Sequence, residues 1–119
     1  MRYVCLVYQD ERNLDISRDK LEASVRECAA WVEDLEKGGQ HIYSAGLQSV
    51  ATAMTLRSRD GKVSVTDGPF AETKEFLAGF TLIDARDLND AIRQASRLAA
   101  CSRGSIEVRP LLENSLLPT

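Results

Sequence analysis

Residues 2–8, Arg-Tyr-Val-Cys-Leu-Val-Tyr, read as a strand that is apolar on both sides. Side chains alternate along a strand, so Tyr3, Cys5 and Val7 share one face and Val4, Leu6 and Tyr8 the other. The stretch 76–83 repeats the pattern, with Phe76, Ala78, Phe80 and Leu82 opposite Leu77, Gly79, Thr81 and Ile83. A sheet with one wet face alternates apolar and polar residues. These strands do not, so both faces of their sheet must be covered.

The rest of the chain offers only two helices to do it. Leu21, Val25, Cys28, Val32 and Leu35 follow spacings of 4, 3, 4 and 3, one face of a helix over 18–37. Ser17 caps it, Asp19 suits its first turn, and Gly38-Gly39 stops it. Leu88, Ala91, Ile92, Ala95, Leu98 and Ala99 trace the second helix, capped by Asp87 with Asp90 near its start. Strands are expected at 41–45, 53–59, 62–66, 76–83 and 105–109, with 48–52 a loop. Asp60-Gly61 is suited to a two-residue type I′ turn joining 53–59 to 62–66. Pro69 ends this hairpin, because proline cannot donate to a ladder, and Pro110 ends the last strand.

The order is β-α-β-(hairpin)-β-α-β. Without the hairpin it is the α+β, ferredoxin-like βαββαβ pattern. The length of 119 residues suits one domain over 1–119. Two helices cover one sheet face and leave the other to a second copy of the chain. Burying several hundred Å2 there contributes on the order of 10 kcal/mol before association costs. A homodimer with sheets face to face is the expected solution. The alternative covers that face with the hairpin and the tail 111–119, whose Leu116-Leu117 pair is apolar.

Charge and cysteines exclude several functions. Lys+Arg is 15 and Asp+Glu is 18, a net charge of -3, with basic residues scattered; Arg57, Arg59 and Lys62 are the nearest to a patch. A mildly acidic surface repels phosphate backbones, so no nucleic-acid partner is expected. The apolar start is too short for a signal peptide or membrane span. Cys5, Cys28 and Cys101 form no CxxC pair, and with one histidine no metal or other cofactor is expected. Cys5 and Cys28 read as small buried hydrophobes. Unpaired thiols suit a reducing compartment, the cytoplasm.

The run Thr66-Asp67-Gly68-Pro69-Phe70-Ala71-Glu72-Thr73-Lys74-Glu75 resembles the DGPF-type branch of the YCII-related family. The similarity spans nearly the whole chain. It includes the strand over 3–8, Gly46-Leu47, Arg57-Ser58-Arg59-Asp60-Gly61, Leu77-Ala78-Gly79-Phe80 and Glu107-Val108-Arg109-Pro110. The resemblance implies a ferredoxin-like domain of the dimeric α/β-barrel superfamily. DGPF-type relatives look like uncharacterised bacterial proteins, some associated with extracytoplasmic-function sigma factors. Better understood YCII-type relatives include a dehalogenase-like enzyme of aromatic degradation; the wider superfamily includes lactone isomerases and cofactor-free monooxygenases. Some YCII members use a His–Asp pair with the histidine on the first helix. This chain has none over 18–37; its histidine is His41, on the next strand.

Candidate site residues carry two readings each. Asp67 is a general acid/base, or it accepts backbone N–H bonds in an Asx-turn. His41 is the base replacing the missing helix histidine, or a hydrogen-bonded surface residue. Tyr8, Phe70, Glu72, Lys74 and Arg109 are candidate substrate contacts. Against this, Tyr8 is a sheet-edge aromatic, Phe70 a packed anchor, and Glu72, Lys74 and Glu75 a solvated charge run. Arg109, expected in a central strand, clamps a carboxylate ligand or forms a structural ion pair. The functional expectation is a homodimer that binds a small organic ligand, with any catalysis cofactor-free acid/base work centred on Asp67. The alternative is a non-enzymatic interaction or regulatory domain in which the loop is a latch.

Overall fold

A computed structural model describes residues 1–14 and 16–113. The strands are β1 (Arg2–Asp10), β2 (His41–Gly46), β3 (Met54–Arg59), β4 (Lys62–Asp67), β5 (Glu75–Asp84) and β6 (Ser105–Pro110). The helices are α1 (Arg18–Lys37) and α2 (Leu88–Ser102). Short 3-10 turns occupy Glu11–Leu14 and Val50–Thr52, the latter where a plain loop was expected. Leu116-Leu117 lies outside the described residues.

The main sheet has the order β2-β5-β1-β6, all antiparallel, and β3-β4 is a separate two-stranded sheet. This is the ferredoxin-like arrangement with an inserted hairpin. The local start and turn signals act as expected. Ser17 accepts from Lys20 N–H at 3.3 Å, and Asp87 from Asp90 N–H at 2.8 Å. Asp60 and Gly61 both have positive φ, 52° and 77°, as a type I′ turn requires.

The core lies between the helices and one sheet face: Tyr3, Cys5, Ile83, Trp31, Leu35, Ala91, Ala95, Leu98 and Cys101. Tyr3 pairs with Ile83 and Cys5 with Thr81, so β1 and β5 send the same face inward. Burial pushes the Cys5 thiol up to about 11 and the Cys28 thiol up to about 12. Both thiols therefore stay protonated and act as apolar groups.

Two helix faces differ from expectation. Leu21 and Val25 are more than half exposed where the spacing predicts burial, while Trp31, which flanks that face in the sequence pattern, packs fully buried at the helix–sheet boundary. Trp31 carries more apolar surface than either, and seating it in the core turns the first half of α1 away. On α2, Ala91, Ala95, Leu98 and Cys101 are buried, while Leu88 and Ile92 are exposed.

Asp90 anchors the start of α2. Its carboxylate accepts from Arg86 N–H and Gln40 Nε2, each at 3.1 Å, and pairs with Arg93. The Arg86 N–H, more than the Arg86 and Arg93 charges, holds that carboxyl below its ordinary range despite desolvation.

The other face of the main sheet carries Val4, Leu6, Phe80, Leu82, Tyr43 and Ala45, and both helices lie on the opposite side. The molecule measures 47 × 44 × 18 Å. That thickness is about one helix layer plus one sheet.

Candidate functional site

The cleft lies where β1 ends and β5 begins. The β1–β5 register slips between Val7 and Tyr8, so Val7 faces Gly79 but Tyr8 faces Leu77. This bulge moves Leu77 to the side of Tyr8, whereas simple alternation placed it with Gly79 and Ile83. On the other flank, Tyr8 pairs with Ser105 of β6. A Cβ on Gly104 would stand 2.3 Å from the Tyr8 carbonyl oxygen, so only glycine lets β6 start there.

Three backbone contacts close the walls around Tyr8. Leu47 N–H donates to Ala78 O at 2.8 Å and pins the segment after β2 beside the bulge. Glu11 N–H donates to Lys74 O at 3.3 Å. Gly68, at φ 102°, donates its N–H to Ala53 O at 2.8 Å, and its own carbonyl accepts from Thr55 Oγ1 at 2.8 Å. Gly68 therefore turns the chain out of β4, and Thr55 latches the turn.

The result is a cleft of about 650 Å3, within the range of small-molecule sites. Leu47, Val50, Phe70, Phe76 and Leu77 supply apolar wall, while Tyr8, Ser49, Thr73 and Glu75 bring polar groups. A second hollow of about 390 Å3 shares Val50, Pro69, Ala71, Thr73 and Phe76 with it and adds Glu11 and Glu72. The Tyr8 hydroxyl donates to Glu107 at 3.3 Å. Partial burial, then the Glu107 carboxylate, hold its proton above the ordinary tyrosine range. At neutral pH Tyr8 is thus a hydrogen-bond donor. Asp10, beside the cleft, is held down to about 2 by its hydrogen bonds with Arg12.

Of the candidate residues, Tyr8 and Phe70 line the cleft. Phe70 is 77% exposed, its ring 5.5 Å from the Arg57 guanidinium, so it is not a packed anchor. Glu72 reaches the adjoining hollow, and Lys74 lies on an open surface with Tyr8, Glu75 and Glu107. Arg109 sits on β6, which is an edge strand rather than a central one, and it is exposed.

Asp67 and His41 do not meet in the cleft. Asp67 pairs with Met54 at the hairpin root, and among the described residues none hydrogen-bonds its carboxylate. The expected Asx-turn is absent there; Thr55 and Ala53 hold the turn instead. His41 lies at the far end of β2, opposite Ile83, with Nε2 2.9 Å from Ser44 Oγ, which in turn contacts Thr81 at 2.9 Å. It is part of a hydrogen-bonded chain reaching into the sheet. Among the described residues no three of His, Cys, Asp or Glu are grouped to hold a metal ion. No helix is long and apolar enough to cross a membrane.

Sequence reasoning missed Leu47, Ser49, Val50 and Thr55. They lie in or beside a segment without periodicity, and only Gly46 and Gly68 flag the turns that gather them.

Comparison with known proteins agrees with this architecture. The YCII-related domain matches residues 1–115. An uncharacterized protein of Rhizobium meliloti (strain 1021) is 40% identical over 114 residues, covering 93% of this chain and 92% of that one. The match of that family model over residues 1–115, with a 40% identical relative aligned nearly end to end, places this chain in the YCII-related family.

Proposed function

We propose that this chain acts as a homodimer that binds a small organic molecule in the cleft between Tyr8, Phe70 and Leu77. The carrying observation is the cleft itself: apolar walls, a few convergent hydroxyls, and a phenol held in its protonated form. Such a lining suits a compact, partly aromatic molecule with one or two hydrogen-bond acceptors. Proton transfer to or from that molecule falls to Tyr8 and Glu75, which line the cleft, rather than to Asp67 and His41. We assign the chain to the DGPF-type branch on its Asp67-Gly68-Pro69-Phe70 turn, and to the cytoplasm on its three free cysteines.

Thermal-shift and calorimetric titration with hydroxylated aromatics, lactones and small carboxylates test the reading. A binder raises the melting temperature of the native protein. Its affinity falls about 5- to 10-fold in Tyr8→Phe, the loss of one hydrogen bond. Failure of every class to bind, or equal affinity in Tyr8→Phe, contradicts it.

A second reading is a non-enzymatic regulatory domain, for which an extracytoplasmic-function sigma factor is the suggested partner. The position of Asp67 and His41 outside the cleft favours it. Co-purification of such a factor with the native chain, together with no small-molecule stabilisation, distinguishes it.

A further inference from the structure

We propose that the cleft takes a cationic ligand, an amine on a compact aromatic body, with its ammonium bound by the Glu75 carboxylate. The proposal rests on the small-molecule reading of the cleft above and adds the charge and class of the molecule.

The charges that line the cleft carry one sign. Glu75 lines the cleft itself, and Glu11 and Glu72 line the adjoining hollow. Among the described residues, no lysine or arginine lines either. At the outer mouth, Glu107 and Glu75 outnumber Lys74. The arginines nearby are engaged by other groups. Arg12 donates to both carboxylate oxygens of Asp10. Arg57 stacks over the Phe70 ring, 5.5 Å from its centroid. Apolar walls lower the local dielectric and strengthen the field of the carboxylates that remain.

Glu75 is placed to meet a ligand. Tyr8 pairs with Leu77 and Asp10 with Glu75, so Glu75, Leu77 and Tyr8 share a sheet face. Ser105 Oγ donates to Glu75 Oε1 at 3.1 Å and steadies the carboxylate. Among the described residues, no hydrogen bond reaches the other oxygen, Oε2, which is left to accept from a ligand. An ammonium there makes a charge-assisted hydrogen bond while its aromatic body meets Leu47, Val50, Phe76 and Leu77. A neutral aromatic molecule fits the same walls but leaves Oε2 to water. A carboxylate or phosphate in that place would lose its hydration without gaining a lining counter-charge.

Isothermal titration calorimetry of the full chain with three matched probes tests the class: tyramine (cationic), tyrosol (neutral) and hydroxyphenylacetate (anionic). The probes share a hydroxyphenyl body and differ in the charge at the other end. Tyramine should bind about 10-fold tighter than tyrosol, the worth of one charge-assisted hydrogen bond. Hydroxyphenylacetate should bind most weakly. Glu75→Gln should bring tyramine to within about twofold of tyrosol and leave tyrosol as in the native chain. An undiminished preference for tyramine in that variant overturns the assignment to Glu75. Equal or tighter binding of tyrosol or hydroxyphenylacetate to the native chain overturns the amine class while leaving the cleft a small-molecule site. Binding of none of the three overturns it too, and the wider panel above then decides the cleft reading separately. If Glu75→Gln does not fold, salt decides. Raising ionic strength from about 0.01 M to about 0.15 M should weaken tyramine about threefold and leave tyrosol unchanged. Equal salt dependence of the two overturns the proposal.

Discussion

Thr55 does at the residue scale what the loop signature suggested for Asp67. Its hydroxyl donates 2.8 Å to Gly68 O and is nearly buried, so Thr55→Val should cost about 1 kcal/mol, read as a lower melting temperature. Asp67→Asn should change stability by less than about 0.5 kcal/mol, because an exposed side chain without a partner loses little. A larger loss would mean that the carboxylate is bonded in solution. Asp90 is the opposite case. Its folded pKa lies below the unfolded value of about 3.9, so its stabilisation is complete above about pH 5 and fades as pH falls through the folded value. Asp90→Asn should therefore lower stability at pH 7 and flatten the acid limb of a denaturation series between pH 5 and 2. An unchanged acid limb contradicts that assignment.

At the element scale, the features legible from the sequence are those decided by a few adjacent residues. Ser17 and Asp87 cap their helices, and Asp60-Gly61 makes the predicted turn, because each needs only its own neighbours. What depends on distant packing was not legible. Val25 has helical spacing but is exposed, since Trp31 takes the core. The slip at Val7/Tyr8 leaves no local mark, yet it sets Leu77 beside Tyr8 and so shapes the cleft. Arg109 belongs to an edge strand, which only the sheet order reveals. Gly104 offers a direct test of how β6 supports the site. Gly104→Ala puts a methyl against Tyr8 O and should cost roughly 1–3 kcal/mol by overpacking. It should also weaken any ligand that depends on Tyr8. Native stability and affinity together in that variant would show that β6 does not position the cleft.

For the whole molecule, shape and surface bear on the proposed homodimer. The chain exposes 8712 Å2, about a third more than the roughly 6,400 Å2 of a compact 13.2 kDa monomer. Its radius of gyration is 16.4 Å, against about 13.5 Å for an ordinary domain of this length. An uncovered sheet face and a projecting hairpin, both rich in apolar side chains, add to that surface. That is the residue pattern of β1 and β5 expressed at molecular scale: strands greasy on two sides, helices on one. Sedimentation velocity of the native chain at about 1–50 µM, a range that brackets a micromolar Kd, reads the consequence most directly. The account predicts a species of about 26 kDa, two copies of the 13.2 kDa chain. A single 13.2 kDa species across that range would contradict it.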